Sequence, residues 1–333
     1  MFTPHKALIT GGAGFIGFHL ARHLSDAGCQ VTILDNLDRQ GSSSRLLNLR
    51  GSTNVNLVSG DVRIADSLWK PIAQAEVVYH LAAQTAVTKS LRNRVVDFET
   101  NAGGTFNVLE TALNAPRPPI VFYASTNKVY GNLSEIPTVE QETRYVTPDA
   151  IHEDQCINPQ TPYGISKAMG DLYALDYYRQ FGLRTIIFRQ SCIYGTWQEG
   201  SEDQGWIYHF LKSAENHQKI TIFGNGKQVR DILYIDDLIR AIAFAVEGID
   251  RTMGQVYNIG GGMEQSVSLL EFWEMAEPII KIKPKLSFAD WRADDQKVYI
   301  SDTRKASDHF NWHPTIGFEE GISRTIEDIR IPF

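Results

Sequence analysis

A doubly wound parallel α/β sheet is the fold that this 333-residue sequence predicts, and three observations predict it. Short apolar runs that read as buried strands recur along the first half of the chain, separated by segments of helical periodicity. Four glycines, Gly11, Gly12, Gly14 and Gly17, stand between the first run and the first helical segment. A carboxylate, Asp35, closes the second run about 20 residues further on.

Taken in order, Ala7 to Ile9 is the first strand, and Phe15, Ile16, Leu20, Ala21 and Leu24 share one face of the helix after it. Gly12, Gly14 and Gly17 satisfy G-x-G-x-x-G, and Gly11, Gly14 and Gly17 the looser G-x-x-G-x-x-G. Such glycines turn the chain sharply, admit a pyrophosphate to the backbone and let helix pack on strand. The helix N-terminus, at Phe15 and Ile16, offers free N–H groups and a positive dipole end to the phosphates. Gln30 to Leu34 is the second strand. Asp35 at its end suits a ribose 2′-hydroxyl and repels a 2′-phosphate, so the expected cofactor is NAD rather than NADP, with Arg39 nearby not reversing that preference.

Arg39 to Ser44 reads as a surface loop, and Val55 to Ser59 as a third strand leading to Asp61, whose carboxylate could reach an adenine. Glu76 to Ala83 is a fourth strand, with Ala82 and Ala83 small enough for a cofactor to lie against the backbone. Helical periodicity runs from Asn101 to Ala112 through Phe106, Val108 and Leu109. Beyond the breaker Pro116-Arg117-Pro118-Pro119, Ile120 to Ala124 is a fifth strand, and Ser125 to Gly131 lies at its C-terminal end, where open parallel sheets place ligands. Pro162 opens a helix running to about Phe181.

Tyr163 and Lys167 stand four apart on one face of that helix. A phenol with an ordinary pKa of about 10 is a poor base near neutrality. An ammonium beside it, helped by a positive nicotinamide ring, favours the phenolate. Thr126 can hydrogen-bond the same substrate hydroxyl, and Lys167 can also reach the nicotinamide ribose. A Tyr-x-x-x-Lys spacing alone proves nothing; behind a dinucleotide fingerprint and a hydroxyl-bearing strand end it reads as chemistry.

Bulk properties narrow the classes. With 21% charged residues and a net charge of −7, no polyanionic partner such as nucleic acid is indicated. Cys29, Cys156 and Cys192 are far apart and odd in number, forming neither a disulfide framework nor metal spacing; the cytoplasm is the expected setting. Polar Thr3 to Lys6 leave no room for a signal peptide, and no apolar run approaches a membrane span. The pairs His19/His23 and His309/His313 lack a third ligand, so surface or cap roles are expected and no metal. Cys192 is expected to be a small apolar filler.

These pieces together resemble the extended short-chain dehydrogenase/reductase family of nucleotide-sugar enzymes over nearly the whole chain. The matching segments are Gly11 to Gly17, Asp35-Asn36, Asp61-Val62, His80-Leu81-Ala82-Ala83-Gln84 and Asn101-x-x-Gly104-Thr105-x-Asn107-Val108-Leu109-Glu110. Tyr163-x-x-x-Lys167, Phe188-Arg189 and Tyr194-Gly195 continue the series. Within the family, Ser125 to Gly131, Asp203-Gln204-Gly205-Trp206 and Gly224 to Asp231 look like the CDP-paratose (CDP-tyvelose) 2-epimerase branch. Gln190 and Trp197 depart from the histidine and arginine of close paratose epimerases, in the loop that should face the sugar.

The resemblance implies a Rossmann-type sheet with a smaller, mixed C-terminal substrate domain. It divides the chain into an NAD-binding domain over 1–190, rejoined by 233–260, and a nucleotide-sugar domain over 191–232 and 261–333. NAD would be held by Gly11, Gly14, Phe15, Ile16, Gly17, Asp35, Asn36, Asp61, Val62, Leu81, Ala82, Ala83, Gln84, Asn101, Tyr163 and Lys167. Thr126, Tyr163 and Lys167 would be catalytic, and Gln84, Thr126, Asn127, Gln190, Gln204, Arg230 and Arg292 would meet the substrate. From the residues alone, Arg230 and Arg292 are as readily surface arginines in salt bridges. The implied reaction is redox-neutral epimerisation of a CDP-hexose at C2, with a nucleotide-sugar 4-epimerase as the alternative. A 4,6-dehydratase is rejected because Asn127-Lys128 stands where that enzyme needs an acid and a base, and a non-catalytic NAD sensor because Tyr163 and Lys167 are both present. The helix carrying Tyr173, Tyr177, Tyr178 and Phe181, whose aromatics read as packing, would join a homodimer or a dimer of dimers.

Overall fold

Each apolar run in the first half of the chain pairs only with parallel neighbours, because a helix separates it from the next. In the computed structural model, which describes residues 3–292 and 295–331, seven runs form one parallel sheet. Residues 1, 2, 293, 294, 332 and 333 of the two expected domain spans lie outside the described residues. Numbered in chain order, the strands of this sheet are β1 (Lys6–Thr10), β2 (Gln30–Asp35), β3 (Val55–Ser59), β4 (Val77–His80), β5 (Ile120–Thr126), β6 (Thr185–Gln190) and β7 (Gln255–Ile259). Their spatial order is β7-β6-β5-β4-β1-β2-β3, so the winding reverses between β1 and β4. A crevice opens at such a reversal, outside the strand C-termini.

Alternation along each strand feeds two cores. Ile9, Ile33, Phe122 and Phe188 pack on one face with Phe18, Leu20 and Leu24 of the helix Phe15–Asp26. Leu8, Leu34, Val78, Val121 and Ile187 pack on the other, against Leu68, Ile72, Val108, Leu109 and Ala174 from helices Asp66–Gln74, Gly104–Leu113 and Pro162–Phe181. Near-continuous apolar strands are what a sheet covered on both faces requires.

The remaining strands form smaller sheets beside the crevice. Val229–Tyr234 pairs in parallel with Cys192–Tyr194 and Val298–Tyr299 and antiparallel with Ser266–Ser268. Lys219–Phe223 pairs with Lys285–Ala289. The mixture of directions follows from connections that are loops as often as helices.

Four expectations need correction. Arg39 to Ser44 is not all surface loop: a helix starts at Ser42, which is buried, and runs to Leu49. Its polar composition hides that Arg45 is buried, donating to the carbonyls of Ala13, Gln40 and Trp197. The fourth strand ends at His80, and Leu81 to Ala83 run on without strand pairing. The helix expected from Asn101 begins regularly only at Gly104, after a wide turn over Glu99–Gly103. His19 is not a surface residue but is buried, its Nε2 donating to the Thr196 carbonyl at 2.9 Å.

Candidate active site

Parallel strands bring their C-terminal ends to one edge, so Thr10, Asp35, His80, Thr126 and Gln190 lie along the rim of the crevice although up to 180 positions separate them. The glycine turn opens this rim. Gly11, at φ +70°, lies so close to the next strand that a Cβ there would sit 2.7 Å from the Ala82 Cα. A Cβ on Gly17 would fall 2.5 Å from the Gly11 carbonyl. Gly14 precedes the helix and no side chain caps it, which leaves the first-turn N–H groups to an anion.

Asp35 is buried, and its carboxylate accepts from Ala13 N at 2.9 Å and from Leu37 N at 2.8 Å. It therefore braces the glycine turn from below. Asn36 donates to Asp61, whose carboxyl is drawn down to about 2 by its hydrogen bonds with Arg63. Val62 is buried against Gly104. These groups fit a dinucleotide: a phosphate cradle that a side chain would fill, then carboxylates at successive strand ends.

At the end of β5, Thr126 is buried, directly across from Gln190 in register with β6. Thr161 caps the helix Pro162–Phe181 through its hydroxyl, accepting from Gly164 N at 3.1 Å, and Pro162 starts it. That start carries Tyr163 to the rim, where the Thr126 hydroxyl favours ionisation of its phenol. Burial pushes the phenol up to about 12, Asp97 pushes the same way, and Thr126 and Arg39 act against them. The depression expected from Lys167 is not seen. Lys167 is buried, its ammonium 4.3 Å from the centre of the Tyr123 ring, and burial draws it down to about 7 against the pull of Asp171 and Asp97.

Beneath this pair lies a network that sequence reasoning missed. Asp97, 1% exposed, accepts from Gln84 Nε2 at 2.8 Å, from Asn101 Nδ2 at 3.2 Å and from Ser166 Oγ at 2.7 Å. The Asn101 side chain also accepts from the Gln84 N–H at 2.8 Å and donates to the Gln84 carbonyl at 2.9 Å, while the Gln84 side chain is committed to Asp97 and to Ala86. One signal was available: Asp97 and Asn101 are four apart on a helical path. Asp171 and Arg189 form a buried ion pair at 2.8 Å, with Ser125 donating to the same carboxylate.

The substrate-side residues divide. Gln190 is buried beside Thr126 with its Nε2 unpaired, a donor held at the rim without a partner among the described residues. Asn127 is buried and accepts weakly from the Thr126 hydroxyl. Gln204 accepts from Arg39 and from Thr85, closing a bridge across the crevice. Arg230 is buried and bound to Asp295 at 2.6 Å. Arg292 faces Glu202 and Asp203 and stacks on Phe223. Among the described residues no group of His, Cys, Asp and Glu could hold a metal ion.

The fold and this rim define a class. The model of the NAD dependent epimerase/dehydratase family matches residues 7–260, and the chain belongs to that family: it is an NAD-dependent enzyme of the extended short-chain dehydrogenase/reductase type. Among its relatives is a CDP-paratose 2-epimerase from Salmonella typhi, 37% identical and covering 96% of this chain and 97% of the relative. A putative UDP-glucose 4-epimerase from Methanocaldococcus jannaschii is 33% identical, covering 96% of each. The structure of a UDP-glucuronic acid 4-epimerase from Bacillus cereus, in complex with UDP-glucuronic acid and NAD, superposes with a TM-score of 0.86 at 28% identity, covering 98% of this chain and 99% of that one.

Proposed function

We propose that this protein inverts C2 of a CDP-hexose without net oxidation, through a 2-keto sugar. The observation that carries the reading is the Tyr163 phenol, opening its helix at the strand rim where the Thr126 hydroxyl acts on it, with Asn127-Lys128 in place of an acid–base pair. The Salmonella relative supports C2 and CDP. When bound, NAD supplies the reversible hydride store that a redox-neutral inversion needs. Gly11, Gly14, Phe15, Ile16 and Gly17 would hold its pyrophosphate; Asp35, Asn36, Asp61 and Val62 the adenosine; Leu81 to Gln84, Asn101, Tyr163 and Lys167 the nicotinamide half.

Thr126 orients the substrate hydroxyl toward Tyr163, whose phenolate takes the proton and later returns it. With NAD bound, Lys167, one helical turn on, would reach the nicotinamide ribose and add its charge on the side of that phenolate. Gln190 offers its free amide donor to a sugar oxygen, and Gln204, Asn127, Arg230 and Arg292 line the remaining path of the nucleotide sugar. We divide the chain accordingly, 1–190 with 233–260 holding NAD and 191–232 with 261–333 holding the sugar nucleotide. Two adjoining helices leave Phe106, Leu172 and Tyr173 exposed, with the Phe106 and Tyr173 rings 5.7 Å apart, and this face supports a homodimer. The setting is the cytoplasm.

Turnover of CDP-, UDP-, GDP- and dTDP-hexoses in heavy water, followed by NMR, tests the reading. The expected product is inverted at C2 of the CDP-sugar and remains protiated there, since the hydrogen never meets solvent. Deuterium at the inverted carbon would overturn the hydride route. The second reading, a 4-epimerase, is supported by the UDP-sugar 4-epimerases among the relatives, and inversion at C4 would select it.

A further inference from the structure

Directly after Thr126 and Asn127, the chain places Lys128, whose backbone N–H is bound to the Thr126 hydroxyl at 3.3 Å. From there its side chain runs into the half-buried rim toward Asp295 and Gln296, 167 and 168 residues away. The ammonium is poorly served by both. It stands 3.7 Å from Asp295 Oδ1 and 3.4 Å from Gln296 Oε1. That same Asp295 oxygen already accepts from Arg230 Nη2 at 2.6 Å, which is the shorter and stronger claim.

Two cations thus share one carboxylate, leaving an excess positive charge where water is scarce. Arg230 also spends Nη1 on the Val229 carbonyl at 2.7 Å, so much of its fork is already occupied. Gln296 is fully buried and fixed by its own bond to the Gly131 carbonyl at 2.7 Å, so it cannot swing to serve the lysine better. An ammonium has three donors, and here they meet two long contacts. Of the charged groups facing it among the described residues, Arg230 repels and only Asp295 attracts strongly, while Cys192 is held as a thiol by burial. The groups around Lys128 therefore leave room for an anionic oxygen.

We infer that Lys128 is a substrate-binding cation that takes the sugar-linked phosphate of the nucleotide sugar. The inference deepens the proposed reaction and rests on it only for the identity of the sugar nucleotide. Its chemistry also agrees with C2. The sugar-linked phosphate is carried on C1, so it neighbours the C2 hydroxyl and lies across the ring from the C4 hydroxyl. A cation on the residue two beyond Thr126 is therefore placed for a sugar that presents C2 to Thr126 and Tyr163. Arg230 then completes the grip from the far side of the shared carboxylate.

Binding of CDP, CMP, UDP and UMP to the NAD-loaded protein by calorimetry tests this, because each diphosphate differs from its monophosphate by the group assigned to Lys128. The parent should favour a diphosphate over its monophosphate. Lys128→Met should lose diphosphate affinity roughly tenfold or more, as expected for one charge-assisted contact, and leave monophosphate affinity within about twofold. Lys128→Gln keeps length and a neutral donor and should lose the same preference, so a folding defect in one variant leaves the other to decide. Either folded variant keeping the parent's diphosphate-to-monophosphate ratio overturns the inference. Preference for UDP over CDP would overturn the choice of base in the proposed function, while the ratio within the uridine pair would still decide the role of Lys128.

Discussion

Tyr163 shows how a residue's chemistry depends on neighbours that lie far away in the chain. The i, i+4 spacing with Lys167 is visible in the sequence, but the balance of forces on the phenol is not. Burial and Asp97 raise it, while the Thr126 hydroxyl and Arg39 lower it, and those three residues come from three separate segments. A positive nicotinamide ring beside the phenol would act with Thr126 and Arg39. Tyr163→Phe removes the hydroxyl and little volume, so turnover should fall by roughly a hundred- to ten-thousandfold with bound dinucleotide retained. Stopped assays of product and of nucleotide released on denaturation check both halves; a near-parental rate would mean that another base works here. Asp97 escaped notice because its i, i+4 spacing to Asn101 is common on helices and gains meaning only when Gln84 and Ser166 converge on it as well.

Elements were most legible where their ends were marked. The run Val55–Ser59 and the helix Pro162–Phe181 emerge with the expected bounds, because turn residues and a proline mark their ends. The helix Ser42–Leu49 was obscured, since its polar face conceals a buried arginine. The helix Phe15–Asp26 carries a comparable surprise in His19. Burial draws that imidazole down to about 4, with Arg22 and Arg45 adding to the shift and the Thr196 carbonyl opposing it. The folded protein thus prefers the neutral ring, which binds fewer protons than the unfolded chain between about pH 4 and 6.5. Its stability share is complete above the ordinary histidine value and is lost as pH falls through that window. Urea unfolding at neutral pH and near pH 5 should show His19→Gln losing about 2 kcal/mol less than the parent on acidification. Equal acid sensitivity would show that His19 does not titrate as its burial demands.

For the whole molecule, the sheet could be read and the crevice floor could not. Parallel pairing follows from alternating strands and helices, whereas Lys128 meets Asp295 only through a contact between positions 167 residues apart, outside any strand ladder. The exposed aromatic face of Phe106 and Tyr173 makes an assembly prediction. Light scattering should give twice the chain mass or a multiple of it, and Leu172→Glu with Tyr173→Glu should give the single chain mass with the glycine turn intact; an unchanged mass would remove that face from the assembly. A last consequence follows from the segment Thr196 to Gln204. It is fastened to the N-terminal part of the chain by His19, Arg39 and Arg45, and Asp328 holds the Trp197 N–H at 2.9 Å. For anyone redesigning sugar preference, this segment is not an interchangeable cassette. A transplant from a relative has to bring its own counterparts of those four anchors, or the graft loosens the glycine turn that Arg45 ties to it through Ala13 and Trp197.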